Sequence, residues 1–442
     1  MTTPTPTPTD RVLILGCGCF GVSTAYHLLT RGYTNITILD RSPVVPAPDA
    51  ASNDINRIVR SGYPDKFYSE LCRDAISLWK DEELYGNAYQ ESGCIIVLNS
   101  PGSSSGIPTE VAESYGHGSY ANDLALGARV SLLETGAALR SVFPPSLQAG
   151  SFQGKSGYLN KDGGWADAGK GLKKLIDRVL QLGAKIETGK DVKELIRGDG
   201  RQTKGVKCAD GSTYEADLVV IAMGSWTPSA FSDLNGSCLA TGQCVAMIQL
   251  TPEEAAPYKE TPVFLDFNTG FYVFPANAQN IVKMAIHCVG YTVTDADTNI
   301  STPRTVTSNP TDGLAIPKPD LAQLRDQLRQ VYPELAKKPF ASTRLCWYND
   351  SPDGDWVISR VPGDAGLVLA TAGSGHAYKF LPIIGRIAAD LIQDKLPQDL
   401  VAKFAVNRPH SKADLSREGL TQELPIDQLC TKEDLKAPTS SS

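Results

Sequence analysis

The sequence predicts an α/β protein of two interleaved parts, a Rossmann-like nucleotide-binding domain and a second domain built on an antiparallel sheet. Three observations predict it: an opening β-α-β unit with a glycine-rich turn, a second apolar strand ending in glycine at 217–226, and short strands grouped between 243 and 274. At 442 residues the chain is also too long for one compact core.

Arg11 to Leu15 is a short apolar strand, followed by Gly16-Cys-Gly18-Cys-Phe-Gly21. Val22, Ala25, Leu28 and Leu29 then recur at helical spacing, Gly32 stops the helix, and Ile36 to Leu39 forms a second strand ending in Asp40. In that setting Gly16 permits the tight turn, Gly18 lets a pyrophosphate approach the backbone, and Gly21 allows close helix-strand packing. Asp40 stands where an acid accepts hydrogen bonds from an adenosine ribose, with Arg41 beside it as a further nucleotide contact.

A helix is expected from about 67 to 80 and a strand from 91 to 98. The Gly, Ser and Pro content of 99–155 marks an excursion into the second domain. Leu172, Leu175, Ile176, Val179 and Leu182 share one face of a helix expected over 165–182 and stopped by Gly183. Strands follow at 184–187 and 217–226, the latter turning at Gly224. Further strands are expected at 243–250, 263–267 and 271–274, and a long Thr/Pro-rich loop at 292–318. Asp320 is expected to cap a helix carrying Leu321, Leu324, Leu328 and Val331. A strand at 367–372, a helix after Pro382 and a polar tail complete the pattern. Segments 10–98, 156–238 and 341–405 are assigned to the nucleotide-binding domain, 99–155 and 239–340 to the second domain, and 406–442 to the tail.

Composition narrows the function. The net charge of −7, with both signs mixed along the chain, offers no basic stripe for nucleic acid. No apolar run approaches the roughly 20 residues that cross a bilayer, so no membrane partner is expected. The leader 1–9 lacks both a basic region and an apolar stretch, and the chain ends Thr439-Ser-Ser-Ser442 without a Ser-Lys-Leu-type address, so a cytoplasmic protein is expected. The ten cysteines lack the paired spacing of a zinc site or disulfide framework.

Beyond the glycine loop lie Asn53-Asp-Ile-Asn-Arg57-Ile-Val-Arg60, Lys283-Met-Ala-Ile-His287, Thr343-Arg-Leu-Cys346-Trp-Tyr and Gly373-Ser-Gly375-His376-Ala-Tyr-Lys379-Phe. With these motifs in this order the chain resembles the monomeric sarcosine oxidase family, which includes pipecolate, saccharopine and fructosyl-amino-acid oxidases. The likeness spans about residues 10 to 395.

The resemblance implies a monomeric two-domain FAD-dependent amine oxidase, acting on a small amine with dioxygen as acceptor and releasing an imine and hydrogen peroxide. It implies that Cys346 forms a thioether to the flavin, that Lys283 activates oxygen, and that Arg60 and Lys379 hold the substrate carboxylate. Arg57 and His287 match positions near the flavin and the substrate amine. His376, in a glycine turn with Gly375, falls near the flavin pyrimidine ring, and Phe271 stands where sarcosine oxidases tend to have a tyrosine in the pocket wall. Glycated-amino-acid oxidases tend to carry Lys and Glu where this chain has Arg57 and His287, and lack the arginine at 60. That departure favours an N-alkyl or cyclic secondary amino acid. A fructosyl amino acid oxidase and a tailoring oxidase that closes a ring stay open as alternatives. The glycine loop alone is also compatible with a nicotinamide-dependent dehydrogenase, and the fold alone with a non-catalytic FAD-binding protein.

Overall fold

The computed structural model describes residues 5–100, 109–410, 416–417 and 419–438. The chain ending at 439–442 therefore lies outside the described residues.

Apolar runs such as Val12–Leu15 and Leu218–Ile221, buried at every position, form the centre of a six-stranded sheet. Its order is Val357–Val361, Asp364–Thr371, Leu218–Ile221, Val12–Leu15, Ile36–Leu39, Lys185–Glu187. All neighbours are parallel except the antiparallel edge strand Val357–Val361. The helices Cys19–Leu29, Ala168–Gln181 and Ile384–Ile392 cover one face, the first packing on both of the others. The crossing at Gly385 is tight, and its backbone N–H donates to Ser23 Oγ at 2.9 Å. A three-stranded antiparallel sheet of Val192–Arg197, Thr203–Cys208 and Thr213–Glu215 packs near the opposite face through Val192, Val206 and Cys208. The sequence pattern gave no sign of this ladder, because its short strands are charged along one side.

The second layer is a ten-stranded sheet. Its path runs Gln422–Glu423, Tyr291–Thr292, Leu239–Gln249, Ile281–Ile286, Phe271–Val273, Val263–Asp266, Cys94–Asn99, Ser156–Asn160, Val130–Leu133, while Ser342–Asp350 pairs along Leu239–Gln249. Leu321, Leu324, Leu328 and Val331 of the helix Lys318–Val331 close one face over Phe264, Phe271, Val273 and Met284. On the other face, Val245, Leu265, Tyr272, Phe274 and Cys346 form a separate cluster.

Two expectations need correction, and two segments carry more structure than their composition suggests. Trp165 belongs to the strand Gly164–Ala166, paired with Arg57–Val59, and the helix begins only after Asp167 caps it by accepting from Lys170 N at 3.0 Å. Asp320 is not a cap: Pro317 holds that position, and Asp320 accepts from Tyr291 Oη at 2.7 Å. The 99–155 excursion contains a helix, Thr109–Ala125, and the edge strand Val130–Leu133. The tail is docked at Gln422–Glu423, with Leu424 and Leu429 buried against the second sheet. No helix among the described residues is long and apolar enough to cross a membrane.

Candidate active site

The first strand delivers the chain into the glycine turn, where backbone proximity leaves no room for side chains. A Cβ on Gly16, at φ +106°, would sit 2.4 Å from the Ala222 carbonyl oxygen, and one on Gly21 would sit 2.0 Å from that of Gly16. Asp40 pins the turn by accepting from Cys17 N and Ser42 N, both at 2.8 Å. Burial raises its carboxyl above the usual range, against those two hydrogen bonds. Gly16, Gly18, Asp40, Arg41 and Gly224 all line one channel of about 420 Å³, with the Arg41 guanidinium 4.2 Å from the centre of the Trp226 ring. Gly21 does not line it and serves the packing behind it. A narrow channel that starts at a glycine turn and helix N-terminus and ends beside another pocket has the form a dinucleotide needs, and the residues present fit FAD.

At its far end the channel shares Arg57, Tyr348, Gly375 and Tyr378 with a cavity of about 870 Å³. Arg60, Tyr63, Tyr272, Phe274, His287, His376 and Lys379 also line that cavity. Two of these are buried cations. Arg60 and Lys379 are each 6 % exposed, and neither makes an ion pair among the described residues. They flank the Tyr63 ring, with the Arg60 guanidinium 4.7 Å and the Lys379 Nζ 5.0 Å from its centre. Lys379 Nζ donates to Tyr63 Oη at 2.6 Å and to the His376 carbonyl at 3.2 Å. Arg60 Nη2 donates to Tyr115 Oη at 3.3 Å, whereas its buried Nη1 has no hydrogen-bond partner among the described residues. The buried carboxylate Asp123 is already engaged by Ser61, Asn160 and Tyr158 at 2.6, 2.9 and 3.1 Å. Burial, and then the neighbouring Arg60, pull the Lys379 ammonium down to about 7. Two desolvated like charges in one pocket are costly, and an anionic group between them relieves that cost.

A second charged cluster lies behind the junction. Lys283 projects from the strand Ile281–Ile286 and is fully buried; its Nζ donates to Asp54 Oδ2 at 2.8 Å and to the Asn56 carbonyl at 2.9 Å. Asp54 also pairs with Arg57 Nη1, and Arg344 Nη1 lies 3.9 Å from the same carboxylate oxygen. Arg57 Nη2 donates to the Ala51 carbonyl at 2.7 Å and to Cys346 Sγ at 3.0 Å. Burial alone would raise Asp54, yet Arg57, Lys283 and Arg344 together hold it well below the usual carboxylate range. For Lys283 burial wins: the ammonium falls to about 7 despite the attraction of Asp54. Lys283 and Cys346 line neither pocket themselves; Arg57 is the cluster member that faces both.

The structure thus brings Arg57, Arg60, His287, Gly375 and Lys379 to one cavity and Lys283 and Cys346 to the cluster beside it. Two positions differ from expectation. Phe271 is not in the pocket wall: it points into the opposite core with Val273, and strand alternation gives the wall to Tyr272 and Phe274. His376 lines the cavity and not the channel. Its ring stacks on Trp356 with centres 5.5 Å apart, and its Nδ1 and Nε2 lie 3.2 Å from Tyr63 Oη and 3.0 Å from the Gly354 carbonyl. Sequence reasoning also missed Lys403, Arg408 and Ser416 at the cavity rim. His287 Nε2 lies 3.0 Å from Ser416 Oγ, and Arg408 pairs with Asp353 at 2.6 Å. Nothing in their polar surroundings marks them as cavity residues.

The family profile described as DAO, FAD dependent oxidoreductase, matches residues 11–391. An L-saccharopine oxidase of Schizosaccharomyces pombe is 30% identical over 403 residues, covering 88% of this chain and 91% of the relative. An amino acid oxidase of Aspergillus fumigatus is 28% identical over 457 residues, covering 86% of this chain and 91% of its own. Among solved structures, fructosyl peptide oxidase from E. terrenum superposes with a TM-score of 0.85 at 26% identity, covering 96% of this chain and 98% of that one.

Proposed function

The chain belongs to the FAD-dependent oxidoreductase family, and within it we propose an oxidase of the C–N bond of a secondary, N-alkyl or cyclic, amino acid. The observation that carries this reading is the pair of buried cations Arg60 and Lys379, without an ion-pair partner among the described residues, in a cavity that opens onto the nucleotide channel. A carboxylate satisfies both, with the fork of Arg60 suited to two of its lone pairs and Lys379 acting as a point charge. Held there, the substrate nitrogen and its neighbouring carbon lie over the aromatic floor toward Arg57 and Tyr348.

FAD, when bound, supplies the two-electron acceptor that dioxygen regenerates. A carbon bonded to the amine nitrogen gives up its hydrogen with both bonding electrons, the amine proton leaves, and the product is an imine. The two electrons and two protons leave on dioxygen as hydrogen peroxide. The amine binds deprotonated, so no side chain has to act as a strong base. Tyr272 and Phe274 exclude water from the reacting carbon. We assign Cys346 as the flavin-linking thiol, since its Sγ lies 3.0 Å from Nη2 of Arg57, the residue that lines both channel and cavity, and Lys283 as the cation that stabilises negative charge developing on dioxygen.

A fructosyl amino acid is the second reading, favoured by the likeness to fructosyl peptide oxidase and opposed by Arg60. Anaerobic mixing of the purified holoenzyme with sarcosine, pipecolate, saccharopine and fructosyl-glycine, read by loss of flavin absorbance, separates the readings. Bleaching by at least one of the first three supports the proposal. Bleaching by fructosyl-glycine alone, or by none, contradicts it.

A further inference from the structure

We propose that Asp54 is a positioning residue for the oxygen half of the reaction, a buried carboxylate that keeps the Lys283 head group charged and fixed beside Arg57 and Cys346. The inference rests on the flavin-site reading above and adds to it a residue that touches neither cavity. Asp54, in the bend before the strand Arg57–Val59, and Lys283, on the strand Ile281–Ile286, come together from segments distant in sequence. The side chain of Lys283 is fully buried and that of Asp54 is 4 % exposed, and the pair is 2.8 Å apart. A lysine in so dry a place keeps its proton only if a fixed anion stands beside it.

The groups facing Lys283 are Asp54 and Arg57 from the segment before Arg60 and Cys346 from Ser342–Asp350, while Arg344 of that last strand faces the same Asp54 carboxylate. From its own layer it meets the Phe274 ring, whose centre lies 5.2 Å from Nζ. Asp54 is the carboxylate in this set, and it is shared among all three cations. Removing its charge leaves a buried ammonium facing the Arg57 guanidinium, and that ammonium then gives up its proton at lower pH. The effect on dioxygen is indirect, because Asp54 acts through Lys283.

The test reduces the holoenzyme anaerobically with dithionite, mixes it with oxygenated buffer across a range of pH, and follows return of flavin absorbance. In the native enzyme the reoxidation rate falls as pH rises through the Lys283 midpoint. In Asp54→Asn that midpoint moves down by about 1–3 pH units, and reoxidation above it slows by about 100-fold. Asp54→Glu keeps the charge and restores the native midpoint to within half of that shift, and Lys283→Met is slow and flat with pH. An Asp54→Asn enzyme with the native midpoint and rate overturns the proposal. So does a Lys283→Met enzyme with the native profile, which decides the question even where Asp54→Asn does not fold. Dithionite supplies the electrons, so failure of every amine to bleach the flavin leaves this experiment intact and counts only against the amine-oxidase reading.

Discussion

The nucleotide channel is shaped by backbone, whereas the cavity it opens into is shaped by side chains gathered from distant stretches. On the channel wall Gly16, and in the packing behind it Gly21, are needed because a Cβ would strike a carbonyl at 2.4 and 2.0 Å. Around the cavity, Arg60, Tyr272, His287 and Lys379 arrive from four separate segments, and their value lies in charge and aromatic surface. The lesson is that changes on the two sides should fail differently: channel substitutions through folding and cofactor retention, cavity substitutions through substrate binding with the fold intact.

The largest separation is expected from Arg60→Met. Loss of one cation from a buried carboxylate site costs about 2–5 kcal/mol of binding, so kcat/KM on an amino-acid substrate should fall by at least about 30-fold while flavin content stays native. Co-purified loss of flavin would blur the contrast. Gly21→Ala should do the reverse, lowering stability by about 1–3 kcal/mol in denaturant unfolding and reducing bound flavin, because the new methyl must push the glycine turn off the helix.

Next in size is a pH effect. Lys379 has a midpoint of about 7 in the unliganded cavity, and a carboxylate ligand binds best to its protonated form. Affinity for a carboxylate inhibitor should therefore be constant below that pH and weaken by up to about tenfold per unit above it, with a proton taken up on binding. Lys379→Met should bind more weakly and lose that slope over the same range. The smallest effect concerns the two faces of one strand. Tyr272→Leu should raise KM with little loss of stability, whereas Phe271→Leu should cost about 1 kcal/mol or more of stability and leave KM unchanged.

The same contrast governs what could be read from the sequence. The glycine turn and its two strands are contiguous, and each glycine has a backbone reason to be there, so that half was legible directly from residue order. The cavity cations were legible only through likeness to a family, since a buried Lys379 and a surface lysine look alike in a sequence. Phe271-Tyr-Val-Phe274 is apolar at both parities, so hydropathy does not tell which residues face the cavity; the structure gives that face to Tyr272 and Phe274. The tail escaped for the opposite reason. Its polar residues satisfy buried partners, as Arg417 does with Asp350 at 2.9 Å, and so leave no apolar rhythm to detect. Asp54 sits within a motif, but its importance comes from Lys283 and Arg344, which converge on it from elsewhere in the chain to join Arg57.

The central claim is that an anionic group on the amine, gripped by Arg60 and Lys379, presents the C–N bond to the flavin. It is tested most directly by anaerobic titration with a secondary amino acid that bleaches the flavin and with the same amine lacking its carboxylate. The account predicts bleaching by the amino acid and at least about 30-fold slower bleaching by the decarboxylated amine at equal concentration. Equal rates for the two would contradict it.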